Sequence, residues 1–193
     1  AYIFVIAQGA RQRHHALDMA IAEFAAAVAA DQGGAACRDN RARPRPIVAP
    51  RRTDMVVDFC AGAGGKTLLL GALMRSHGRL YAFDVVTKRL ANLTPRLARS
   101  GLSNVQPQLV SGERDTKIKR LARKIDRVLV DAPCTGFGTL RRNPDLKWRQ
   151  PESAVAELTA KQGAILTAAA TLVKPGGRLV YATCSVLPEE NDA

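Results

Sequence analysis

The sequence predicts an α/β fold, with a mostly parallel, doubly wound sheet covered by helices on both faces. Two observations support this prediction. From residue 55 onward, short β-rich runs alternate with helical patterns, as they do in repeated β-α-β units. Four of the five β-rich runs are also nearly continuous in apolar residues, as expected of parallel strands buried on both faces.

The strand candidates follow one another in a regular order along the chain. They are MVVDF (55–59), RLYAFDV (79–85), VQPQLV (105–110), RVLVDAP (127–133) and GRLVYATCS (177–185). The third is the least apolar, and Pro107 suits an edge strand because proline has no backbone N–H to donate. The helix candidates span roughly 65–75, 87–100, 115–125 and 152–173. The turn KPGGR, before the fifth strand, ends the last of these helices.

Residues 1–46 have a different character from the remainder. They hold an Ala-rich helical candidate near 15–30 and then a basic, proline-containing stretch, without a motif that we can assign. A chain of 193 residues with 47% apolar composition can bury one sizeable core. We therefore expect an Ala/Arg-rich appendage over 1–46 and one core domain over 47–193.

The charge balance predicts a polyanionic partner. The net charge is +12 at pH 7, which favours nucleic acid, although an Arg-rich proteome would have the same effect. No apolar run approaches the roughly 20 residues that span a bilayer, and no basic segment precedes AYIFVIA, so we expect a cytoplasmic protein without a membrane partner. The cysteines at 37, 60, 134 and 184 lack C-x-x-C spacing, so no metal site is expected. Because the sequence shows no secretory signal, disulfides are not expected either.

The stretch DFCAGAGGKT (58–67) is a glycine-rich turn after the first strand candidate. A phosphate-binding P-loop would need glycine where Cys60 stands, and a dinucleotide fingerprint starting at Gly62 would need glycine where Thr67 stands. An acid at the strand end, followed by glycines that allow close backbone approach, is instead typical of methyltransferases that use S-adenosylmethionine. This third pattern is met by Asp58, Gly62, Gly64 and Gly65.

Asp84 stands at the end of the second strand candidate. A carboxylate at that place in a nucleoside-binding α/β fold accepts hydrogen bonds from the ribose hydroxyls of the ligand. Asp84 is therefore a candidate ribose ligand. The alternative is that it does no more than end the strand.

Cys134 and Cys184 each follow a strand candidate, in the motifs DAPC (131–134) and YATCS (181–185). The carboxyl ends of the first, fourth and fifth strands would lie side by side in a parallel sheet, so both thiols are predicted on the same rim as the glycine turn. The alternative is a pair of inert, buried cysteines, but the carboxyl end of a strand is a poor place to bury one.

Two thiols beside a methyl donor suit methylation at carbon 5 of cytosine. That carbon is too weakly nucleophilic to attack a methyl sulfonium until a thiolate has added to carbon 6. A second thiol can assist release of the product, and a carboxylate such as Asp131 can hydrogen-bond the ring. This chemistry accounts for Cys134, Cys184 and Asp131 together.

The motifs DFCAGAGGKT, DAPCTGFGTLRRNPDLKWR and YATCS resemble those of RNA cytosine-5 methyltransferases of the Nop/Sun type, over roughly residues 47–192. The resemblance implies a Rossmann-like S-adenosylmethionine-dependent methyltransferase fold with strand order 3-2-1-4-5. It implies an RNA substrate, ribosomal RNA first and transfer RNA second. It assigns nucleophilic attack to Cys184, product release to Cys134 and a place near methyl donor and base to Asp131. DNA cytosine methyltransferases attack with a Pro-Cys cysteine, so the reverse assignment of the thiols stays open.

The same resemblance implies which residues bind the cofactor. They are Cys60, Ala61, Gly62, Ala63, Gly64, Gly65, Lys66, Asp84 and Asp131. The family usually reads C-A-A-P-G-G-K in this turn, so Gly62 and Ala63 should loosen it. An acid after the third strand would lie near the adenine, and Glu113 and Asp115 both remain candidates.

The end of the chain departs from the family pattern. The sequence stops at PEENDA, whereas the family fold adds an antiparallel pair of strands beside the fifth strand. Without that pair the fifth strand would be a bare apolar edge, so we expect a C-terminally truncated core that self-associates through it. An inactive cofactor- or RNA-binding remnant is therefore the alternative to an active enzyme.

Basic residues and one tryptophan follow Cys134, in the stretch LRRNPDLKWR (140–149). Its Arg and Lys side chains can hold phosphates, and Trp148 can either stack on a base or pack in the core, with packing expected because a lone Trp is more often core. The run KIKRLARK (117–124) is expected to be a solvated helix face. The alternative of an amino-group methyltransferase is less well supported. Such enzymes usually carry a proline-aromatic motif after the fourth strand, and DAPC has no aromatic residue after its proline.

Overall fold

The computed structural model describes residues 2–7 and 48–191, with side chains described from Val48 onward. Within these ranges six strands form one sheet. The strands are β1 (Tyr2–Ala7), β2 (Met55–Asp58), β3 (Arg79–Asp84), β4 (Val105–Leu109), β5 (Ile125–Asp131) and β6 (Val173–Thr183). They lie in the order β1-β6-β5-β2-β3-β4, with β1 antiparallel to β6 and every other pair parallel. The predicted order 3-2-1-4-5 of the parallel strands is confirmed.

Helices connect the parallel strands as the sequence predicts. They are α1 (Gly65–Leu73), α2 (Thr87–Ser100), α3 (Thr116–Arg120), α4 (Leu146–Arg149) and α5 (Ala154–Leu172). Helix α3 is shorter than predicted: it ends at Arg120, and the left-handed φ of 56° at Arg123 bars a helix from continuing to 125. The single turn α4 is not predicted from the sequence. Between residues 48 and 191, no helix is both long and apolar enough to cross a membrane.

Strand β6 begins earlier than predicted. It starts at Val173, directly after α5, so the KPGGR turn lies inside the strand and not before it. Its register with β5 shifts between Ile125 and Arg127, and Gly176 has a φ of 75°, a left-handed value that suits glycine. Regular pairing then runs from Arg178.

Both faces of the sheet are buried. The adjacent residues Val56 and Val57 of β2 belong to different core clusters, because successive side chains of a strand point to opposite faces. Val56 shares its cluster with Leu70 of α1, and Val57 shares the other with Leu172 of α5. The expectation of a sheet covered on both faces is confirmed.

The edge of β6 is not bare, and that prediction is wrong. Strand β1 pairs along it from Tyr2, opposite Thr183, to Ala7, opposite Arg178. Its sequence YIFVIA is rich in β-branched and aromatic residues, which suit a strand. This pairing does not test self-association, which stays a prediction, because β1 itself is now the outer strand of the sheet. The helical candidate near 15–30 and Cys37 lie outside the described residues.

Candidate active site

The predicted site residues meet at the carboxyl ends of three neighbouring strands. Asp58 ends β2, Asp131 ends β5, and Cys184 follows Thr183 at the end of β6. These strands are adjacent in the sheet order β6-β5-β2. Residues far apart in sequence are therefore brought to one rim, as is usual for binding sites in open α/β sheets.

The glycine-rich turn between β2 and α1 is held against the sheet by its own backbone. The N–H of Phe59 donates to the carbonyl of Leu129 at 2.8 Å, and the N–H of Ala61 donates to the carbonyl of Phe83 at 2.8 Å. Gly62 and Gly64 have φ values of 58° and 88°, which disfavour any residue with a Cβ.

The two left-handed glycines have different surroundings. A Cβ on Gly64 would collide with the side chain of Leu93, so this glycine is required by the packing of α2. A Cβ on Gly62 would meet nothing within 4 Å. Gly62 therefore presents open backbone, against which a ligand can lie closely.

Asp84 holds the glycine-rich turn in place through hydrogen bonds to backbone N–H groups. Its Oδ2 accepts the N–H of Gly62 at 2.9 Å, and its Oδ1 accepts the N–H of Val86 at 2.8 Å. The side chain is 4% exposed, and Arg89 lies 3.9 Å from Oδ2. Asp84 thus does more than end the strand, and its position beside Gly62 is compatible with the predicted ribose contact.

Asp58 is buried beneath the turn, with 1% of its surface exposed. Its Oδ2 accepts the hydroxyl of Thr67 at 2.7 Å, whereas its Oδ1 has no hydrogen-bond partner among the described residues. Burial, with smaller contributions from Asp131 and Asp84, raises the pKa of Asp58 to about 6 against the opposing effects of Thr67 and Lys66. A cationic group bound nearby would stabilise the ionised form of this carboxylate.

The ion pair between Lys66 and Asp131 joins the turn to the strand that precedes Cys134. Lys66 lies in the first turn of α1, and Asp131 is the last residue of β5. The side chains of Lys66 and Asp131 are 25% and 32% exposed, which makes the contact less screened than a surface pair. The remaining turn residues Ala63 and Gly65 are exposed beside it.

The sulfur atoms of Cys134 and Cys184 lie 3.2 Å apart. The N–H of Cys184 also donates to the sulfur of Cys134 at 3.3 Å. Two backbone bonds hold the loops together: the N–H of Ala132 donates to Ala182, and the N–H of Gly138 donates to the carbonyl of Cys184, each at 2.9 Å. The predicted convergence of the two thiols is present in the structure.

The two thiols have opposite pKa shifts. The hydrogen bond from Cys134 is the main cause that lowers the pKa of Cys184 to about 7, despite burial and the charge of Asp131. The same hydrogen bond, followed by burial, raises the pKa of Cys134, although backbone N–H donors partly offset the effect. The directions of the two shifts favour ionisation of Cys184 over ionisation of Cys134.

Cys60 differs from both of these thiols. It is packed against the core cluster that contains Val57. Burial, together with the charges of Asp58, Asp131 and Asp84, raises its pKa to about 12. Cys60 therefore stays protonated at neutral pH and is not a nucleophile.

The carboxylate of Asp115 caps α3 and accepts hydrogen bonds from the backbone of Lys117 at 2.8 Å and from the backbone and hydroxyl of Ser111 at 2.8 and 3.0 Å. Glu113 forms no hydrogen bond or ion pair with another residue in 48–191. Of the two candidates for an adenine contact, Glu113 is therefore the one whose carboxylate is not already engaged.

Trp148 does not pack in the core, and that expectation is wrong. Its side chain is 80% exposed, and the ammonium of Lys147 lies 4.8 Å from the ring centroid. None of the residues of helix α4, which carries Trp148, is buried. Among residues 48–191, no group of three or more His, Cys, Asp or Glu side chains could hold a metal ion.

Several buried polar residues beside the thiols carry no predicted role. They are Thr135, Gln162, Ser185, Glu190 and Asn191. Ser185 and Thr135 each follow a motif cysteine, in TCS and DAPCT, so the sequence could have identified them as candidates. Glu190 and Gln162 carry no local signal, because their roles depend on contacts with residues more than 25 positions away.

The residues on this rim fit S-adenosylmethionine. Gly62 offers open backbone, Asp84 lies beside it, and Asp58 has an unpaired buried oxygen where the cofactor's positive charge would be favourable. Fold and site together define the core of an S-adenosylmethionine-dependent methyltransferase. The family model described as 16S rRNA methyltransferase RsmB/F matches residues 46–193, and the chain belongs to that family.

Similar proteins support this membership. The chain is 42% identical over 148 residues to the probable ribosomal RNA small subunit methyltransferase B of Synechocystis sp., covering 76% of this chain and 33% of that protein. The crystal structure of NSun6 from Pyrococcus horikoshii with SFG, an S-adenosylmethionine analogue, has a TM-score of 0.67 and 31% identity, covering 75% of this chain and 36% of that one.

A methyltransferase homolog protein from Pyrococcus horikoshii has a TM-score of 0.65 and 37% identity, covering 77% of this chain and 45% of that one. The chain thus spans about a third of the length of the curated relatives it matches.

Proposed function

We propose that this chain is the catalytic core of an enzyme that methylates carbon 5 of cytosine in RNA. The observation that carries the proposal is the pair of sulfurs 3.2 Å apart, on the rim that also holds the glycine-rich turn. A methyltransferase acting on oxygen or on an amino group needs no thiol. Two neighbouring thiols with opposite pKa shifts suit a reaction that first needs a thiolate and later needs a proton acceptor.

In the first half of the reaction the Cys184 thiolate adds to carbon 6 of the base. The carbon 5–carbon 6 double bond is consumed, and carbon 5 becomes electron-rich. We assign to Asp131 a hydrogen bond to the ring that fixes its orientation, and the ion pair of Asp131 with Lys66 on the same rim supports this role. When bound on this rim, S-adenosylmethionine would supply the methyl group that carbon 5 takes up and would leave as S-adenosylhomocysteine.

In the second half carbon 5 carries both a methyl group and a proton. Loss of that proton re-forms the double bond and expels the Cys184 sulfur from carbon 6. Once Cys184 is bound to carbon 6, it no longer holds the Cys134 proton in a hydrogen bond, which is the main cause of the raised pKa of Cys134. Cys134 is then better able to release its own proton to solvent, and the resulting thiolate accepts the proton from carbon 5.

The substrate we propose is ribosomal RNA, with transfer RNA as the second choice. The relatives are named as ribosomal RNA small subunit methyltransferases, and this chain carries a net charge of +12. The exposed residues after Cys134 include Arg141, Arg142 and Lys147 beside Trp148. A cytosine must leave its stack before a thiol can reach carbon 6, so a single-stranded or loop cytosine is favoured.

Trapping with RNA that contains 5-fluorocytosine tests this proposal. Fluorine at carbon 5 cannot leave as a proton does, so an active enzyme is expected to remain covalently attached to the RNA. Cys184→Ala should abolish the adduct, whereas Cys134→Ala should retain it and should accumulate an adduct with unmodified RNA. Cys37→Ala, which changes a cysteine to which the proposal gives no role, is the control.

Other outcomes would contradict parts of the proposal. Loss of the adduct in Cys134→Ala alone would reverse the two roles. If the parent chain binds S-adenosylmethionine and RNA but forms no adduct, the alternative holds, and the chain is an inactive cofactor- or RNA-binding remnant.

A further inference from the structure

A carboxylate with no role in the proposed reaction is buried beside the two thiols. Glu190 lies on the 3-10 turn Pro188–Glu190 and is 1% exposed. It forms no ion pair with the residues described in 48–191. A buried, ionised carboxylate without a cation is costly unless several hydrogen bonds satisfy it.

Glu190 is satisfied by donors from different parts of the chain. Its Oε1 accepts the N–H of Thr135 at 2.9 Å and the side-chain amide of Gln162 at 3.0 Å. Its Oε2 accepts the hydroxyl of Thr135 at 2.6 Å. Burial alone would raise the pKa of Glu190, but hydrogen bonds from Ser185, Thr135 and Gln162 outweigh it and lower the pKa, so the group is ionised at neutral pH.

The positions of these donors are informative. Thr135 follows Cys134 in the chain, and Ser185 follows Cys184. The hydroxyls of Thr135 and Ser185 are themselves 3.2 Å apart. Gln162 of α5 donates to Glu190 and also, at 2.9 Å, to the carbonyl of Pro133, which precedes Cys134. One carboxylate therefore contacts the residues that adjoin both sulfurs.

We infer that Glu190 is a positioning residue that sets the relative placement of the Cys134 and Cys184 sulfurs. Its significance for catalysis rests on the proposed function, but the placement of the thiols does not. Neighbouring Asn191 supports only the Cys184 side, through Thr183 at 2.7 Å and the carbonyls of Ser185 and Leu187 at 3.3 and 2.7 Å. Of these two neighbours, only Glu190 reaches the loop that carries Cys134.

Substitutions of Glu190 distinguish placement from charge. Glu190→Gln keeps one side-chain oxygen, which can accept from the Thr135 N–H and from the Gln162 amide. The hydroxyls of Thr135 and Ser185 can turn to accept hydrogen bonds from the new amide NH2 group. Glu190→Asp keeps the negative charge, but its side chain is one methylene shorter. Its carboxylate therefore no longer reaches both the loop that carries Cys134 and the loop that carries Cys184. Glu190→Ala removes every bond. Glu189→Ala, on the adjacent exposed residue, is the matched control.

The expected order of kcat follows from placement. Because a misplacement of roughly 1 Å can cost about 100-fold, we expect a fall of about 100-fold in Glu190→Ala and Glu190→Asp and about tenfold in Glu190→Gln. The KM for S-adenosylmethionine should stay within about twofold, since the glycine-rich turn is untouched. A better retained kcat in Glu190→Asp than in Glu190→Gln would show that charge, not placement, is what matters, and would overturn the inference.

A second readout needs no RNA. The rate at which iodoacetamide alkylates Cys184 at neutral pH, located by peptide mass spectrometry, should fall in Glu190→Ala, because Cys134 would no longer be held to donate its hydrogen bond. An alkylation profile equal to that of the parent in a folded Glu190→Ala would overturn the inference, whatever the outcome for methylation.

If the Glu190 variants fail to fold, the same two readouts apply to Thr135. Thr135→Val removes the hydroxyl that donates to Glu190, and Thr135→Ser keeps it. The inference requires Thr135→Val to lower kcat and Cys184 alkylation relative to Thr135→Ser. Equal values in the two variants would refute it.

Discussion

The sulfurs of Cys134 and Cys184 lie 3.2 Å apart, although 50 positions separate the two residues in the chain. The closeness follows from parallel pairing of β5 with β6, which sets Asp131 opposite Ala182 just before both thiols. Each sulfur thereby becomes the main influence on the other's pKa. The pair is a coupled unit, in which the state of one thiol controls the reactivity of the other.

The alkylation rate of Cys184 should depend on pH with a midpoint near the lowered pKa of about 7. Below the midpoint the sulfur is a protonated, unreactive thiol, and above it the thiolate reacts. Cys134→Ala removes the hydrogen bond that is the main cause of the shift, so the midpoint should rise by about one unit or more. Iodoacetamide labelling followed by peptide mass spectrometry measures it, and an unchanged midpoint in Cys134→Ala would contradict the coupling.

Gly62→Ala should weaken binding of S-adenosylmethionine by at least about tenfold, because its Cβ would occupy the open side of the turn. Gly101→Ala is a matched control, since Gly62 and Gly101 have φ values of 58° and 68° and neither Cβ would meet an atom within 4 Å. Each variant should lose about 1–2 kcal/mol of unfolding free energy from left-handed strain. Calorimetric titration and denaturant unfolding separate the two effects, and equal affinities in both variants would argue against a cofactor at Gly62.

Asp58→Asn should stabilise the protein above neutral pH. The folded pKa of Asp58, about 6, exceeds the ordinary value of 3.8, so its contribution to stability is full below pH 3.8 and is lost as pH rises through 6. The variant lacks this loss, and its unfolding free energy relative to the parent should improve by up to about 3 kcal/mol between pH about 4 and pH about 8. Chemical unfolding at several pH values measures the difference.

Asp126→Asn provides a control of opposite sign. Burial alone would raise the pKa of Asp126, but Lys174 and the N–H of Met55 outweigh it and lower the pKa. Its contribution is therefore present above the unfolded pKa and lost as pH falls, so Asp126→Asn should be most destabilised at neutral pH. The same pH trend in both variants would contradict the assignment of the Asp58 shift to burial.

Trp148→Ala should leave thermal stability unchanged, because 80% of the side chain is exposed. If Trp148 stacks on a base, RNA affinity should fall by about 5–100-fold, corresponding to roughly 1–3 kcal/mol per stacked base. Trp148→Phe keeps an aromatic face and should retain most of the affinity. Fluorescence anisotropy with labelled RNA measures both, and unaltered binding by Trp148→Ala would exclude stacking.

The sequence by itself determined the alternation of strands and helices and the rim on which the site lies, and its resemblance to a known family implied the order of the parallel strands. Apolar continuity and turn residues are local signals, and the carboxyl ends of neighbouring parallel strands meet by topology alone. The places of Asp58, Asp84, Asp131, Cys134 and Cys184 on that rim follow from these two rules.

Tertiary structure alone decided which groups touch. The pairing of β1 with β6, the exposure of Trp148 and the burial of Glu190 carry no local signal. Each depends on contacts set by side-chain packing or by long-range strand register, as in the bond from Thr135 to a carboxylate 55 positions away. A pattern in sequence encodes the periodicity of an element, whereas distances between atoms of different elements arise only when the whole chain has packed.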